Sequence, residues 1–233
     1  MKRIRNITLI ICAMIMIFSL TACGKTKSPK IVTNPVSFDG LQKITEQVGS
    51  RTKASSYLKL WLDANYHQEY SEYAKYLGKG EESLKAEMRE KELQVVEETI
   101  LGSDGFAGAA DSQKEELLNA INEVYQSAKY QIGLGRQNED GSYSVPLTVY
   151  PIKTLEALNN NFEQEALGRF SYVPSDEEWI GFTIEMLRKY NAEAGFGDPV
   201  TLEIPLEAGL GGAAFYLGEA EANKIEAAIL PVD

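Results

Sequence analysis

Side chains able to hold a ligand are densest between Trp61 and Tyr76, where Trp61, Tyr66, Tyr70, Tyr73 and Tyr76 follow one another closely. Tyrosine joins an apolar ring to a polar tip, a combination suited to the mouth of a pocket. Tyr66, Tyr70 and Tyr73 share a helical face, which is the pattern of a core stripe. Tyr70 and Tyr76 lie partly off that stripe. Trp61, Tyr70 and Tyr76 are therefore the candidate ligand-binding residues.

Catalytic and metal chemistry find less support. The chain has one histidine and two cysteines, too few for a cysteine-rich zinc site or a two-histidine zinc helix. His67 sits in the polar run "ANYHQEY" at a helix start and reads as a surface residue; no nucleophile-elbow motif accompanies it. Acids abound, but Glu81-Glu82, Glu97-Glu98, Glu115-Glu116 and Glu177-Glu178 lie in helical patterns, mostly near N-termini where they complement the dipole. Neighbouring glutamates on a helix point in different directions, so these pairs read as solvated faces. A carboxylate-based hydrolase of cell-wall polymer remains the alternative function. "GLGGAA", Gly209 to Ala214, has the spacing of a dinucleotide loop without the strand-helix-strand unit it needs, and reads as a hairpin connection. "SDGFAGAADS" lacks the ligand spacing of a calcium loop. No catalytic residue, metal site or cofactor is expected.

The N-terminus opens with Lys2, Arg3 and Arg5, followed by the charge-free apolar run Ile7 to Leu20. A spanning helix needs roughly 20 residues, so this run is short for one and fits a signal peptide. It ends in Leu20-Thr21-Ala22-Cys23, which resembles the bacterial lipoprotein lipobox. The resemblance implies cleavage between Ala22 and Cys23 and diacylglyceryl transfer to the Cys23 thiol. Two acyl chains anchor stably where one binds marginally, at about 0.8 kcal/mol per buried CH₂. Cleavage would remove three of the 23 basic residues, none of the 34 acidic ones, and also Cys12. Neither a disulfide nor a Cys-His pair is then available. The mature chain is more acidic than the −11 of the whole. Such a surface is repelled by phosphate backbones, so nucleic acid is not an expected partner.

The organisation read from the sequence is residues 1–22 as signal, 23–50 as lipidated cysteine and tether, and 51–233 as an acidic α+β domain. Helical periodicity begins at Ser55 and recurs from Tyr66 to Leu77, with Gly78 and Gly80 as a stop. A third helix is expected from Ser83 to Ile100, and a fourth after a Ser112/Glu115 capping box. The period then becomes two: Tyr130, Ile132 and Leu134 lead through an Asp140-Gly141 turn to Tyr143, Val145, Leu147 and Val149. Pro146 argues for an edge or a bulge. Pro151 should start another helix, and Ser175/Glu178 should cap the next. A strand from Val200 to Leu206, a short one near Ala213 to Leu217 and a helix from Glu219 to Ile229 complete the chain. Helices preceding antiparallel strands give an α+β class with one wetter sheet face. The order allows two loosely repeated helix-plus-hairpin units, 51–151 and 152–233.

"YLKLWLDANYHQEYSEYAKYLG" resembles the opening helices of NTF2-like (cystatin-like) domains, and "VPLTVYPIKTLEAL" resembles a strand-to-helix segment of uncharacterised lipoproteins of Gram-positive Firmicutes. The resemblance implies a helix pair leading into a curved sheet and brings no catalytic residues. Four helices before the first strand exceed a single NTF2-like unit. The expectation is a non-enzymatic, membrane-anchored extracytoplasmic lipoprotein, facing outside the cytoplasm and binding a small ligand, a peptide or an envelope protein. A two-lobed solute receptor would need more alternating strands.

Overall fold

A computed structural model describes residues 41–96, 110–209 and 214–231. Cys23, the signal and most of the tether lie outside the described residues, as does "SDGFAGA". The first helix, α1, is Leu41–Tyr66, so it begins within the stretch read as a tether. It is followed by α2 (Tyr70–Leu77), α3 (Glu81–Val95) and α4 (Asp111–Gln126). Strands β1 (Lys129–Ile132), β2 (Arg136–Gln137) and β3 (Tyr143–Tyr150) come next, then α5 (Thr154–Arg169) and α6 (Asp176–Glu193). The chain ends with β4 (Val200–Ala208), β5 (Phe215–Tyr216) and α7 (Glu219–Ile229). The class is α+β, with helices packed on an antiparallel sheet.

The sheet runs β1-β3-β4-β5, with β2 continuing along the same edge of β3 as β1. Strand β3 closes the stretch 51–151 and β4 belongs to 152–233, and they pair from Tyr143↔Leu206 to Val149↔Val200. The two stretches share one sheet and one core that runs from Ala54 to Leu230.

Alternation decides which face is covered. Tyr143, Val145, Leu147 and Val149 of β3 are buried, as are Ile204 and Leu206 of β4. They meet α1 and α7. Along α1 the buried positions Ala54, Tyr57, Leu58, Trp61 and Leu62 recur every three or four residues, one stripe of a helix. The opposite sheet face is wetter; there Thr148 and Thr201 hydroxyls hydrogen-bond at 3.0 Å.

Pro146 lies in an interior strand, opposite the break between β1 and β2. Gly133 donates its N–H to the Pro146 carbonyl at 2.7 Å. A non-proline partner would return an N–H to the Gly133 carbonyl; proline has none. Ser55 of α1 fills the gap: its Oγ donates to Gly133 O at 2.8 Å and accepts from Gly135 N–H at 2.8 Å. Arg51 Nε adds a bond to Gly135 O at 2.8 Å. A Cβ on Gly135 would meet the Arg51 carbonyl oxygen at 2.9 Å, so glycine is required for this close approach.

Two helix starts differ from the periodicity. The α4 cap is Ala110, not Ser112: the chain turns two residues earlier, and Gln113 Oε1 takes the Ala110 N–H at 3.3 Å. Helix α5 starts at Thr154, three residues past Pro151, because the backbone between is held extended by other partners. Gly197 donates to Pro151 O at 2.8 Å, and Ile152 donates to Ile229 O at 2.7 Å. The Ser175/Glu178 box of α6 forms in both directions, at 2.8 and 3.2 Å. At the Asp140-Gly141 turn, Gly141 has φ +86 and Asp140 Oδ1 accepts the Ser142 N–H at 3.0 Å.

The tyrosines of the opening stretch close the sheet. Strand β5 pairs with β4 on one side; on the other, Tyr76 Oη accepts the Phe215 N–H at 2.6 Å and donates to the Phe215 carbonyl at 3.2 Å. Tyr57 Oη accepts the Leu217 N–H at 3.1 Å. Side chains thus replace the strand that an open edge would otherwise recruit. Tyr76→Phe should lower stability by about 1–2 kcal/mol. Hydrogen exchange at the Phe215 amide should speed up with it, and an unchanged amide would show that the phenol does not hold this edge.

Candidate functional site

The corner between α1 and α2 carries an unusual backbone. Gln68 has φ +58, and among the described residues it is the non-glycine with a left-handed conformation. Such residues sit in strained positions that the surroundings must hold. Here the Asp63 carbonyl accepts from His67 N–H at 2.9 Å and from Glu69 N–H at 3.1 Å, and Gln126 Nε2 donates to Gln68 Oε1 at 2.9 Å.

His67 is half-buried rather than a surface residue. Its ring stacks on Tyr130, with centroids 5.2 Å apart and planes inclined by 16°. Nε2 meets the Ala128 carbonyl at 2.9 Å, and Nδ1 lies 3.2 Å from the Tyr130 hydroxyl. That hydroxyl donates to Asp63 Oδ1 at 2.6 Å, and Lys59 pairs with the same carboxylate. The group ties the α1 end to β1. Burial, then the Asp63 carboxylate, push the Tyr130 phenol far above its ordinary range.

Beside this corner lies a cleft of about 420 Å³. One wall is a face of α3, carrying Glu82, Lys85, Arg89 and Glu92 at three- and four-residue intervals. Asn119 of α4 forms the other wall, and Gln68 and Tyr70 close the corner end. Arg89 spans the walls: it pairs with Glu115 and donates to Asn119 Oδ1 at 2.9 Å. The α2–α3 pair is held here by a small apolar cluster of Ala64, Tyr70, Ala74, Leu84 and Met88.

Two polar side chains in the cleft are more than nine-tenths buried. Tyr70 is 6% exposed and Glu92 3%. The Tyr70 hydroxyl has no hydrogen-bond partner among the described residues. Glu92 accepts from Asn122 Nδ2 at 3.1 Å through one oxygen, leaving the other open. Burial raises the Glu92 pKa above the ordinary carboxylate range, against smaller lowering effects of Asn122 and Arg89. Burial, then Glu92, likewise raise that of the Tyr70 phenol.

The three tyrosine-stretch candidates do not converge. Trp61 is 2% exposed, packed edge-on against Tyr66 in the main core, so it cannot line a pocket mouth. Tyr76 is committed to the β5 edge. Tyr70 alone lines the cleft. Periodicity missed Glu92, Arg89, Asn119 and Gln68; the available signals were the charged stripe on α3 and Asn122 inside the apolar stripe of α4. Among the described residues no three His, Cys, Asp or Glu side chains gather as a metal site, and no helix is long and apolar enough to cross a membrane.

No protein-family model matches the chain, and no curated protein matches it. A solved structure does: the candidate lipoprotein YcdA of Bacillus subtilis subsp. subtilis str. 168, 13% identical, with a TM-score of 0.52. The two share a fold. The match covers 82% of this chain but 59% of that one, so the Bacillus protein is substantially longer than the shared part. "GLGGAA" lies mostly outside the described residues; its ends join antiparallel β4 and β5, with Gly209 N–H bonded to Ala214 O at 2.8 Å.

Proposed function

We propose that this protein is a non-enzymatic, membrane-anchored extracytoplasmic lipoprotein that holds a small ligand in the cleft between α3 and α4. The observation that carries the reading is the cleft itself, lined by Tyr70 and Glu92, whose Tyr70 hydroxyl and second Glu92 oxygen take no partner among the described residues. A few convergent polar groups in a concave site are what fix and orient a small ligand. The lipobox-like Leu20-Thr21-Ala22-Cys23 supports the anchor, as does the fold shared with a candidate lipoprotein. The curved sheet under a helix pair accords with an NTF2-like module.

The hydrolase alternative fares worse. Glu82 and Glu92, the carboxylates of the cleft, are ten residues apart on one helix, a rise of about 15 Å. Glycoside hydrolysis needs carboxyl groups roughly 5 to 10 Å apart.

Two readouts test the proposal. Cys23→Ala should move the protein from the membrane fraction to the soluble one. Native mass spectrometry of the membrane-purified protein should show a discrete small adduct that Tyr70→Phe loses. Bare protein in both samples would refute the binding role, and an unchanged membrane fraction would refute the lipid anchor.

A further inference from the structure

Resting on that cleft as a binding site, we infer that its ligand is a neutral, polyhydroxylated molecule, a saccharide unit, recognised by Tyr70, Glu92, Asn119 and Gln68.

The charges of the cleft are already answered. Arg89 is engaged by Glu115 and Asn119 across the walls. Glu82 and Lys85 stand one turn apart on the same face of α3, so their fields offset each other at any ligand. An anionic ligand would meet an Arg89 whose charge Glu115 already offsets; a cationic one would find Lys85 beside the exposed acid. Neither sign is favoured.

What stays open is a set of hydrogen-bonding groups of both kinds. The Tyr70 hydroxyl is unengaged among the described residues and can donate or accept. Glu92 presents its second oxygen as an acceptor. Asn119 has its carbonyl oxygen occupied by Arg89, leaving the amide N–H groups. Gln68 is in the same state, its oxygen taken by Gln126. Each sugar hydroxyl both donates and accepts, so it can use a mixed set in full, where a simple ion would use only half. Ala86 adds a small apolar surface for the C–H face of a ring. A volume of about 420 Å³ lies within the range of small-molecule sites and suits a ligand of one or two rings.

Rigid positioning supports the same reading. Gln68 is fixed by its left-handed backbone and by Gln126, and Asn119 by Arg89. Sites built to satisfy hydroxyls reject analogues lacking them, because buried groups are then left unpaired.

The test is calorimetric titration of the full chain, purified from membranes in a detergent without a sugar headgroup. The probes are maltose and cellobiose, with inorganic phosphate and the dipeptide alanyl-alanine as charged comparisons. A disaccharide should bind with an affinity that stays constant as salt rises from roughly 0.05 to 0.5 M, since no ion pair forms for salt to screen. Tyr70→Phe and Asn119→Ala should each weaken it roughly tenfold, while circular dichroism shows both variants folded. If phosphate or the dipeptide binds instead, weakens with salt and is lost in Tyr70→Phe, the ligand class is wrong and the cleft still binds. An adduct on the membrane-purified protein that disaccharides fail to displace overturns the class in the same way. If no probe binds and no such adduct exists, both readings fall together.

Discussion

Glu226→Gln should stabilise the protein at pH 8 and leave it little changed at pH 5. Glu226 lies on the buried stripe of α7 with no exposure to solvent. Tyr125 Oη donates to one of its oxygens at 3.1 Å, and the other has no hydrogen-bond partner among the described residues. Tyr66 packs on Tyr125 at a ring distance of 5.9 Å, so the carboxyl is surrounded by phenols and aliphatic chains rather than by cations. Burial pushes its pKa up to about 9, against a smaller lowering effect of Tyr125.

The sign follows from proton counting. Below about pH 4.5 both folded and unfolded chains hold the proton, and Glu226 adds no pH dependence. Between there and about pH 9 the unfolded chain releases it while the folded chain retains it. Stability therefore falls as pH rises, by about 1.4 kcal/mol per unit. From pH 5 to pH 8 this amounts to about 4 kcal/mol at most. Glutamine keeps an oxygen for Tyr125 and has no proton to lose. Urea unfolding of both proteins at the two pH values measures the difference, expected to be about 2–4 kcal/mol at pH 8. Parallel stability curves would mean that Glu226 is not neutral in the fold.

Ser55→Ala carries the second large effect. It removes the donor to the Gly133 carbonyl and the acceptor for the Gly135 N–H in one step, at an expected cost of about 2–3 kcal/mol. A companion substitution separates this role from helix packing. Pro146→Val restores an N–H opposite Gly133, the group whose absence Ser55 offsets. In that background Ser55→Ala should cost less, with a coupling of about 0.5–1.5 kcal/mol in a double-mutant cycle. Rescue should be partial, because Gly135 regains nothing. Strict additivity would show that Ser55 and Pro146 do not share the Gly133 carbonyl.

Local signals in the sequence located most elements because each rests on neighbouring residues. The alternation from Tyr143 to Val149, the Ser175/Glu178 box and the span of α7 all appear where their patterns place them. Pro146 shows the limit. Its missing N–H pointed correctly to a local break, but the answer came from Ser55, a residue of another element, rather than from an edge position. The Pro151 start failed for a similar reason, since partners distant in the chain fixed where backbone became helical, whereas the Ser112 cap lost to a local one, Gln113 closing on Ala110. Glu226 falls on the same helical stripe as Ala222 and Ile229, and Asn122 lies beside Ile121; each is a polar residue among apolar ones. Periodicity counts such residues as noise, although burial makes them the most consequential titratable and hydrogen-bonding groups present. The cleft was illegible because its walls, α3 and α4, are brought together only by tertiary contact. The tyrosines drew notice by composition, yet only Tyr70 lines it.

Tyr57 in the first helix meets Leu217 beyond the last strand, 160 residues later. Ile152, just past β3, donates its N–H to the carbonyl of Ile229 in α7. Closing such long loops costs entropy before any contact repays it, and folding slows accordingly. A chain emerging N-terminus first can form α1 to α4 and the β1–β3 hairpin early. The part of the β3 face that α1 does not cover must wait for α7. Until α7 has emerged, an open strand edge and a half-covered apolar face persist together, so the interval between the emergence of β3 and that of α7 is the time when this protein is most exposed to aggregation and proteolysis.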